Sequence, residues 1–124
     1  RTADGRRKRN DIVMHERHQL LAEGTPRSKL PNRAQIAQTV GFRWMAQRQE
    51  KLGVLVEESS LLVEGYEQAS LRKPGASHPI RLSLLDLRGV LTVQDPQLTI
   101  NALYTGIGPA KSFGCGLMLV KRAP

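Results

Sequence analysis

The strongest hydrophobic pattern in the chain is helical and lies between Asn32 and Gly53. Asn32 suits a helix N-cap with Gln35 at the capping-box position, and Gly53 provides a C-terminal glycine. The apolar residues recur at helical spacing and fall largely on one face, which we expect to pack on a sheet. These residues are Ala37, Val40, Gly41, Trp44, Met45 and Leu52.

After this helix the pattern changes to short apolar runs that are typical of strands. The predicted strands are Val54 to Glu57, Leu61 to Glu64, Ile80 to Leu87 and Val90 to Val93. Gly89 marks a bend or bulge before the last of them. Pro74 and Gly75 favour a tight type II turn. That turn places the two cations Arg72 and Lys73 at the tip of a hairpin.

One helix and one strand complete this part of the pattern. Asp95 and Pro96 form an N-cap and first-turn pair, which predicts a short helix from Gln97 to Thr105 that ends at Gly106. An apolar strand, Leu117 to Val120, follows. The side chains that this helix is predicted to bury are Leu98, Ala102 and Leu103.

The first thirty residues give a weaker signal. Residues 1–10 are basic and lack apolar side chains apart from an alanine, whereas Ile12 to Glu23 has weak helical spacing with Gly24 and Pro26 as stops. We therefore expect residues 1–30 to form a basic, extended or partly ordered segment, and residues 31–124 to form the folded domain.

When the apolar runs on each side of the hairpin turn are counted as one interrupted strand, the predicted order is helix, strand, strand, helix, strand. With one more strand in front, this is the β-α-β-β-α-β unit of ferredoxin-like folds, which RNA-recognition motifs also use. We predict an α+β domain of this kind that lacks its first strand. The strands do not carry the aromatic pair of a generic RNA-recognition sheet, so recognition of backbone and shape fits better than base stacking.

Charge indicates a polyanionic partner. The net charge is +8 and the pI is near 10.4. Residues 1–51 carry 12 Lys+Arg against 5 Asp+Glu, or +7, while residues 52–124 carry 7 against 6, or +1. Four cations fall on the other faces of the long helix: Arg33, Arg43, Arg48 and Lys51. They form either a solvated surface or phosphate contacts, and the sequence leaves both open.

Cysteine usage and hydropathy bear on location. One cysteine excludes an intrachain disulfide, and no signal peptide or long apolar run is present, so we expect a cytoplasmic protein without membrane contact. The chain starts at Arg1 rather than methionine, and we expect it to be part of a longer protein. His15 and His18 lie one helical turn apart without an evident third ligand, which predicts surface histidines and no metal site.

The most distinctive stretch runs from Gly106 to Gly116, where two Gly-apolar-Gly triplets bracket a polar segment. Paired glycines are typical of a loop whose backbone approaches an anion or another backbone closely. It is not a Walker A loop, because Ala110 precedes Lys111 where glycine is needed. It is not a dinucleotide fingerprint either, since that pattern requires glycine at position 111.

The run Gly-Ile-Gly-Pro-Ala-Lys-Ser-Phe-Gly-Cys-Gly-Leu resembles the C-terminal glycine-rich loop of CRISPR repeat-processing endoribonucleases, and within them the CasE family of the Cascade complex. In that family two ferredoxin-like domains stand in tandem, and the resemblance places this chain over most of the second. It implies a metal-independent endoribonuclease without cofactor that cuts repeat RNA at the base of a stem-loop, using the adjacent 2′-hydroxyl as nucleophile. Antiviral defence is the implied role.

The resemblance also implies partners and site residues. The partners are the repeat RNA stem-loop, other Cascade subunits and an N-terminal ferredoxin-like domain. The family's catalytic histidine belongs to that first domain, so His15, His18 and His78 do not inherit its role, and we expect the fragment alone to be inactive. Lys73 is the candidate supporting catalytic residue. The candidate RNA-binding residues are Arg72, Lys73, Gly106, Gly108, Lys111, Ser112, Gly114, Gly116, Arg33 and Arg43.

Two other classes compete with this interpretation. A non-catalytic RNA-binding or scaffold domain of the same fold would share the basic charge and the glycine loop. A ligand-sensing ACT-like domain would not, because nothing in such a role calls for the positive charge.

Overall fold

The computed structural model describes residues 11–72, 74–75, 77–108 and 115–124. Its helices are α1 (Ile12–Ala22), α2 (Arg33–Ala46), α3 (Gln49–Leu52) and α4 (Pro96–Thr105). Its strands are β1 (Val54–Val56), β2 (Leu62–Leu71), β3 (Ile80–Arg88) and β4 (Leu91–Val93). Short 3-10 helices occupy Arg27–Lys29 and Glu58–Ser60. None of the helices in these ranges combines the length and the hydrophobicity needed to cross a bilayer.

The fold is α+β, with small two-stranded sheets, and it is consistent with a ferredoxin-like domain. β1 pairs antiparallel with β4, with Val54 opposite Val93 and Val56 opposite Leu91, and β2 pairs with β3. The predicted class is therefore confirmed. Between α3 and α4 the described residues form four strands, which are arranged as the two pairs β1–β4 and β2–β3.

The two sheets are separated at the position where a bend was predicted. The Glu57 N–H donates to the Val90 carbonyl at 2.9 Å, and the Val90 N–H donates to Ser60 Oγ at 2.8 Å. A Cβ on Gly89 would lie 3.1 Å from the Leu61 Cα, so this position has little room for a side chain. Glycine is the residue that permits this close approach between the strand connections.

By contacts between residues the chain divides into two compact units. The first holds residues up to Val40 together with Gly65–Leu85. The second holds Gly41–Glu64 together with the residues from Asp86 onward.

Asp11 organises the start of the first unit. Its Oδ1 accepts hydrogen bonds from the N–H groups of Val13 at 2.9 Å and Met14 at 3.1 Å, which caps α1. Its Oδ2 accepts from the Tyr66 hydroxyl on β2 and, at 2.6 Å, from the Ser83 hydroxyl on β3. One carboxylate thus both begins a helix and holds that helix to two strands.

The environment of Asp11 changes two pKa values. Partial burial alone would raise the pKa of Asp11, but hydrogen bonds from Ser83, Tyr66 and the two capping N–H groups outweigh it and hold the pKa below 3.8. Burial raises the pKa of Tyr66 above its ordinary value, and the hydrogen bond to Asp11 adds to that effect.

The long predicted helix begins as expected but is interrupted. The Asn32 N–H donates to Gln35 Oε1 at 2.9 Å and the Gln35 N–H donates to Asn32 Oδ1 at 2.8 Å, which is the predicted capping box. The helix ends at Ala46, because the Arg48 N–H donates to the Met45 carbonyl at 3.0 Å in a tighter turn. α3 ends at Leu52 and is followed by Gly53, whose φ of 66° is the left-handed conformation expected of a C-terminal glycine.

The core of the second unit consists of Met45, Leu52, Val54 and Ala102. Trp44, Val56, Leu87, Leu91 and Ile107 pack against it. Thr99 is only 4 % exposed, and its hydroxyl donates to the Leu52 carbonyl at the end of α3 at 2.8 Å. This hydrogen bond joins α4 to α3 inside the core.

Two predictions about the C-terminal part are wrong. On α4 Ala102 is buried as predicted and Leu103 is half-buried, but Leu98 is 38 % exposed and the buried position that was not predicted is Thr99. Residues 117–120 are not a strand in the structure, although Leu117 and Leu119 are apolar and highly exposed. In the ferredoxin-like arrangement the last strand pairs with the first, and the described residues contain no strand before α2. Without a strand to pair with, an apolar run does not form a ladder.

Candidate nucleic-acid interface

The end of α4 presents the predicted glycine stretch. Asp95 Oδ1 caps the helix by accepting from the N–H groups of Gln97 at 3.1 Å and Leu98 at 3.3 Å. At the other end Gly106 has φ 76° and its N–H donates to the Ala102 carbonyl at 2.9 Å. The chain leaves the helix in a conformation that side chains other than glycine rarely adopt.

The glycine stretch is closed at its base by its own backbone. The Ile107 N–H donates to the Gly116 carbonyl at 2.8 Å. Gly116 has φ 78°, and a Cβ there would overlap the Ile107 carbonyl oxygen and lie 2.9 Å from its carbon. The predicted close approach to another backbone is confirmed at this position.

Gly108 lies against an aromatic ring. It has φ 77°, and a Cβ built on it would lie 3.3 Å from Cζ2 of Trp44. The edge of the Trp44 indole therefore limits where the backbone at Gly108 can lie. Pro109 to Gly114 lie outside the described residues, so the candidates Lys111, Ser112 and Gly114 stay predictions.

Arg48 packs on the face of the same indole. Its guanidinium carbon lies 3.9 Å from the centroid of the Trp44 ring, and Nη1 donates to the Trp44 carbonyl at 3.0 Å. Partial burial lowers the pKa of Arg48 from its ordinary value, yet a guanidinium stays charged at neutral pH. A fixed positive charge thus lies beside the ring that contacts the glycine stretch.

An open cavity of about 260 Å³ lies next to the base of the loop. It is lined by Leu103, Tyr104, Thr105, Gly106, Cys115, Gly116 and Leu117. Tyr104 is 88 % exposed, so its ring is available to a ligand at the cavity rim. An exposed tyrosine beside a backbone loop is suited to stacking on a nucleobase or a sugar.

The other predicted residues are distributed over both units. Arg33 at the start of α2 and Arg72 at the end of β2 are exposed and belong to the first unit. Arg43 is exposed on α2 and belongs to the second unit, as do the glycines. Gly75 has φ 81°, in keeping with the predicted turn, while Lys73 lies outside the described residues.

The three histidines are surface residues. His15, His18 and His78 are all exposed. Within the part of the chain that the structure describes, no group of three or more His, Cys, Asp and Glu side chains is arranged to hold a metal ion.

The sequence analysis did not predict that Arg48 packs on Trp44. Arg48 was grouped with the solvated or phosphate-binding cations of the helix, whereas the structure packs it on Trp44. The available signal was spacing, because residues four apart on a helix face the same way and an Arg–Trp pair at that spacing favours stacking.

The family of the chain follows from a comparison with protein-family models. Residues 4–122 match the model described as CRISPR associated protein. The chain belongs to this CRISPR-associated family. A search of curated proteins finds no match. Membership confirms the coarser part of the resemblance, a CRISPR-associated protein.

Proposed function

We propose that this chain is the RNA-binding C-terminal part of a CRISPR repeat-RNA processing endoribonuclease of the CasE type. The observation that carries the proposal is the glycine stretch, which combines a residue pattern that resembles the CasE loop with positive φ at Gly106, Gly108 and Gly116. Glycines in such conformations let a backbone come close to a phosphate or a base edge.

Charge supports the same function. The excess of positive charge lies in residues 1–51, and Arg33, Arg43 and Arg72 are exposed where a polyanion can reach them. Exposed arginines of this kind are suited to phosphate contacts with a repeat-derived stem-loop. Partners of the full-length protein would be that RNA, an N-terminal ferredoxin-like domain and other subunits of a Cascade complex.

Catalysis by the full-length protein would be metal-independent. The proposed reaction is attack of a 2′-hydroxyl on the adjacent phosphate, which forms a 2′,3′-cyclic phosphate as the bond from phosphorus to the 5′-oxygen breaks. A histidine of the N-terminal domain would take the proton of the 2′-hydroxyl or protonate the leaving 5′-oxygen, and Lys73 would stabilise the developing negative charge. The 124-residue chain would therefore bind the product and the substrate but not cleave by itself.

Binding to a labelled CRISPR repeat hairpin across a salt series tests the proposal. We expect affinity to fall steeply with salt, because several Lys and Arg contacts to phosphate release counterions, and to exceed that for an unstructured RNA of equal length. A flat salt series, or equal affinity for both RNAs, would contradict it.

Cleavage assays in EDTA separate the catalytic proposal from its alternative. We expect specific cutting at the stem base by the full-length protein and none by this chain alone. A full-length protein that binds the hairpin but never cuts it would be a non-catalytic RNA-binding or scaffold protein.

A further inference from the structure

Arg48 has donors that the described protein does not use. A guanidinium carries five N–H groups, and within the described residues the Arg48 side chain makes one hydrogen bond, from Nη1 to the Trp44 carbonyl. Within residues 11–72, 74–75, 77–108 and 115–124 no carboxylate lies at ion-pair distance from it. Arg88 shows the contrast, because its guanidinium is 2.7 Å from the Glu64 carboxylate.

The stacking on Trp44 restricts Arg48 without neutralising it. A guanidinium whose carbon lies over an indole ring still has N–H groups free to donate, and a pair of them matches the two oxygens of a phosphate. Holding the side chain in place beforehand also lowers the conformational entropy that binding would cost. The geometry is therefore that of a prepared anion contact.

The same indole contacts the glycine stretch. Its Cζ2 atom lies 3.3 Å from the position of a Cβ on Gly108, while Arg48 covers the ring face. A ligand held by the glycine stretch thus comes near the one tryptophan of the chain and the charge packed on it.

We propose that Arg48 binds a backbone phosphate of the RNA and that Trp44 is the positioning residue that holds both Arg48 and Gly108 for it. The proposal rests on the proposed function and adds a subsite to it. Trp44 and Arg48 link the turn between α2 and α3 to the glycine stretch. A purely structural role, in which Arg48 only ties down that turn through the Trp44 carbonyl, would leave RNA affinity unaffected when folding is intact.

The test uses the intact chain, a fluorescein-labelled CRISPR repeat hairpin and an oligouridine of the same length. Arg48→Gln removes the charge and keeps a planar amide, and Arg48→Lys keeps the charge without the flat fork. Arg88→Gln is the matched control, since it also removes one positive charge but from an arginine paired with Glu64. Circular dichroism melts verify that each variant is folded.

For Arg48→Gln we expect about tenfold weaker hairpin binding and a salt slope smaller by about one, the signature of one lost phosphate contact. Arg48→Lys should keep most of the slope with a smaller loss of affinity, because charge remains but stacking and two-point binding do not. Arg88→Gln should stay within about twofold of the wild type.

Trp44 provides a second, independent readout. Because it is the single tryptophan, intrinsic fluorescence reports on this subsite alone. Hairpin RNA should change the emission of the wild type saturably, and high salt should reverse the change. In Arg48→Gln the change should require correspondingly more RNA.

Each pattern of results decides the question. Wild-type hairpin binding combined with equal affinities of Arg48→Gln and Arg88→Gln would overturn the subsite while leaving the proposed function intact. A wild type that binds no RNA would overturn both. If Arg48→Gln does not fold, Arg48→Lys decides the question. A hairpin affinity and a salt slope of Arg48→Lys equal to those of the wild type would refute binding of two phosphate oxygens by the guanidinium. A fluorescence response to polyglutamate but not to RNA would assign Arg48 to an acidic protein partner instead.

Discussion

Replacing Asp11 by alanine should destabilise the protein strongly, because this side chain accepts hydrogen bonds from four donors. Its Oδ1 caps α1 and its Oδ2 accepts from Tyr66 and Ser83. A lost N-cap costs about 1 kcal/mol. A hydrogen bond to a charged group contributes about 1.5–3 kcal/mol when buried, and we reduce this to ~1 kcal/mol for each hydroxyl because the carboxylate is largely exposed to solvent. The free energy of unfolding should fall by about 2–3 kcal/mol.

Asp11→Asn removes the negative charge of this side chain but keeps an oxygen that can cap α1. Asparagine caps helices about as well as aspartate, so only the charge-assisted part of the hydroxyl contacts is lost, and we expect a decrease of about 1–2 kcal/mol. Asp86→Ala, which removes an exposed carboxylate on β3, is the control and should change stability by less than about 0.5 kcal/mol.

The effect should depend on pH in a defined direction. The folded protein holds the pKa of Asp11 below 3.8, so the ionised carboxylate stabilises the fold above that value, and its contribution is lost as pH falls through the lower folded pKa. Urea unfolding at pH 7 and at steps down to pH 3 measures this. The difference between wild type and Asp11→Ala should be largest near neutrality and shrink in acid. A difference below about 0.5 kcal/mol at pH 7, or one that grows in acid, would refute the reasoning.

Three further substitutions have defined outcomes. Thr99→Val should lower the free energy of unfolding by about 1–2 kcal/mol in urea titrations, because the buried Leu52 carbonyl loses its donor. Gly116→Val should cost at least about 2 kcal/mol and also weaken hairpin binding, because its side chain would overlap the Ile107 carbonyl. In the full-length protein, Lys73→Ala should slow single-turnover cleavage more than it weakens binding, as expected of a group that stabilises the transition state.

Contrary results would be equally specific. Wild-type stability of Thr99→Val would mean that the Leu52 carbonyl finds another donor. An unchanged cleavage rate for Lys73→Ala together with a slower one for Arg72→Ala would move the catalytic role one residue along the hairpin. If both were silent, the proposed role of the hairpin would be wrong.

Local signals in the sequence predicted the capped helix ends, although α2 stops at Ala46 and β2 continues to Leu71, beyond the predicted Leu61 to Glu64. The Asn32–Gln35 capping box, the Asp95 cap and Gly53 depend on short-range chemistry, in which a few side chains satisfy the free N–H and carbonyl groups at a helix end. Such signals need no knowledge of the rest of the fold. The turn glycine Gly75 and the bend glycine Gly89 were predicted for the same reason.

Long-range contacts explain what the sequence did not show. Thr99 is buried because the carbonyl at the end of α3 needs a donor, and no helical pattern on α4 contains that information. Leu117 to Val120 reads as a strand, but a strand exists only when another strand pairs with it. Arg48 was missed in the candidate site because its partner is an aromatic face, which charge counting does not consider.

The hydrogen bond between Ile107 and Gly116 has a consequence for how this family can diversify. It ties the two ends of the glycine stretch together next to α4, so the helix end is fixed independently of the residues between them. Lengthening a segment whose ends are already held together costs little, about 0.6 kcal/mol for each doubling of its length. Insertions and substitutions between the two ends should therefore be tolerated with little effect on the stability of α4.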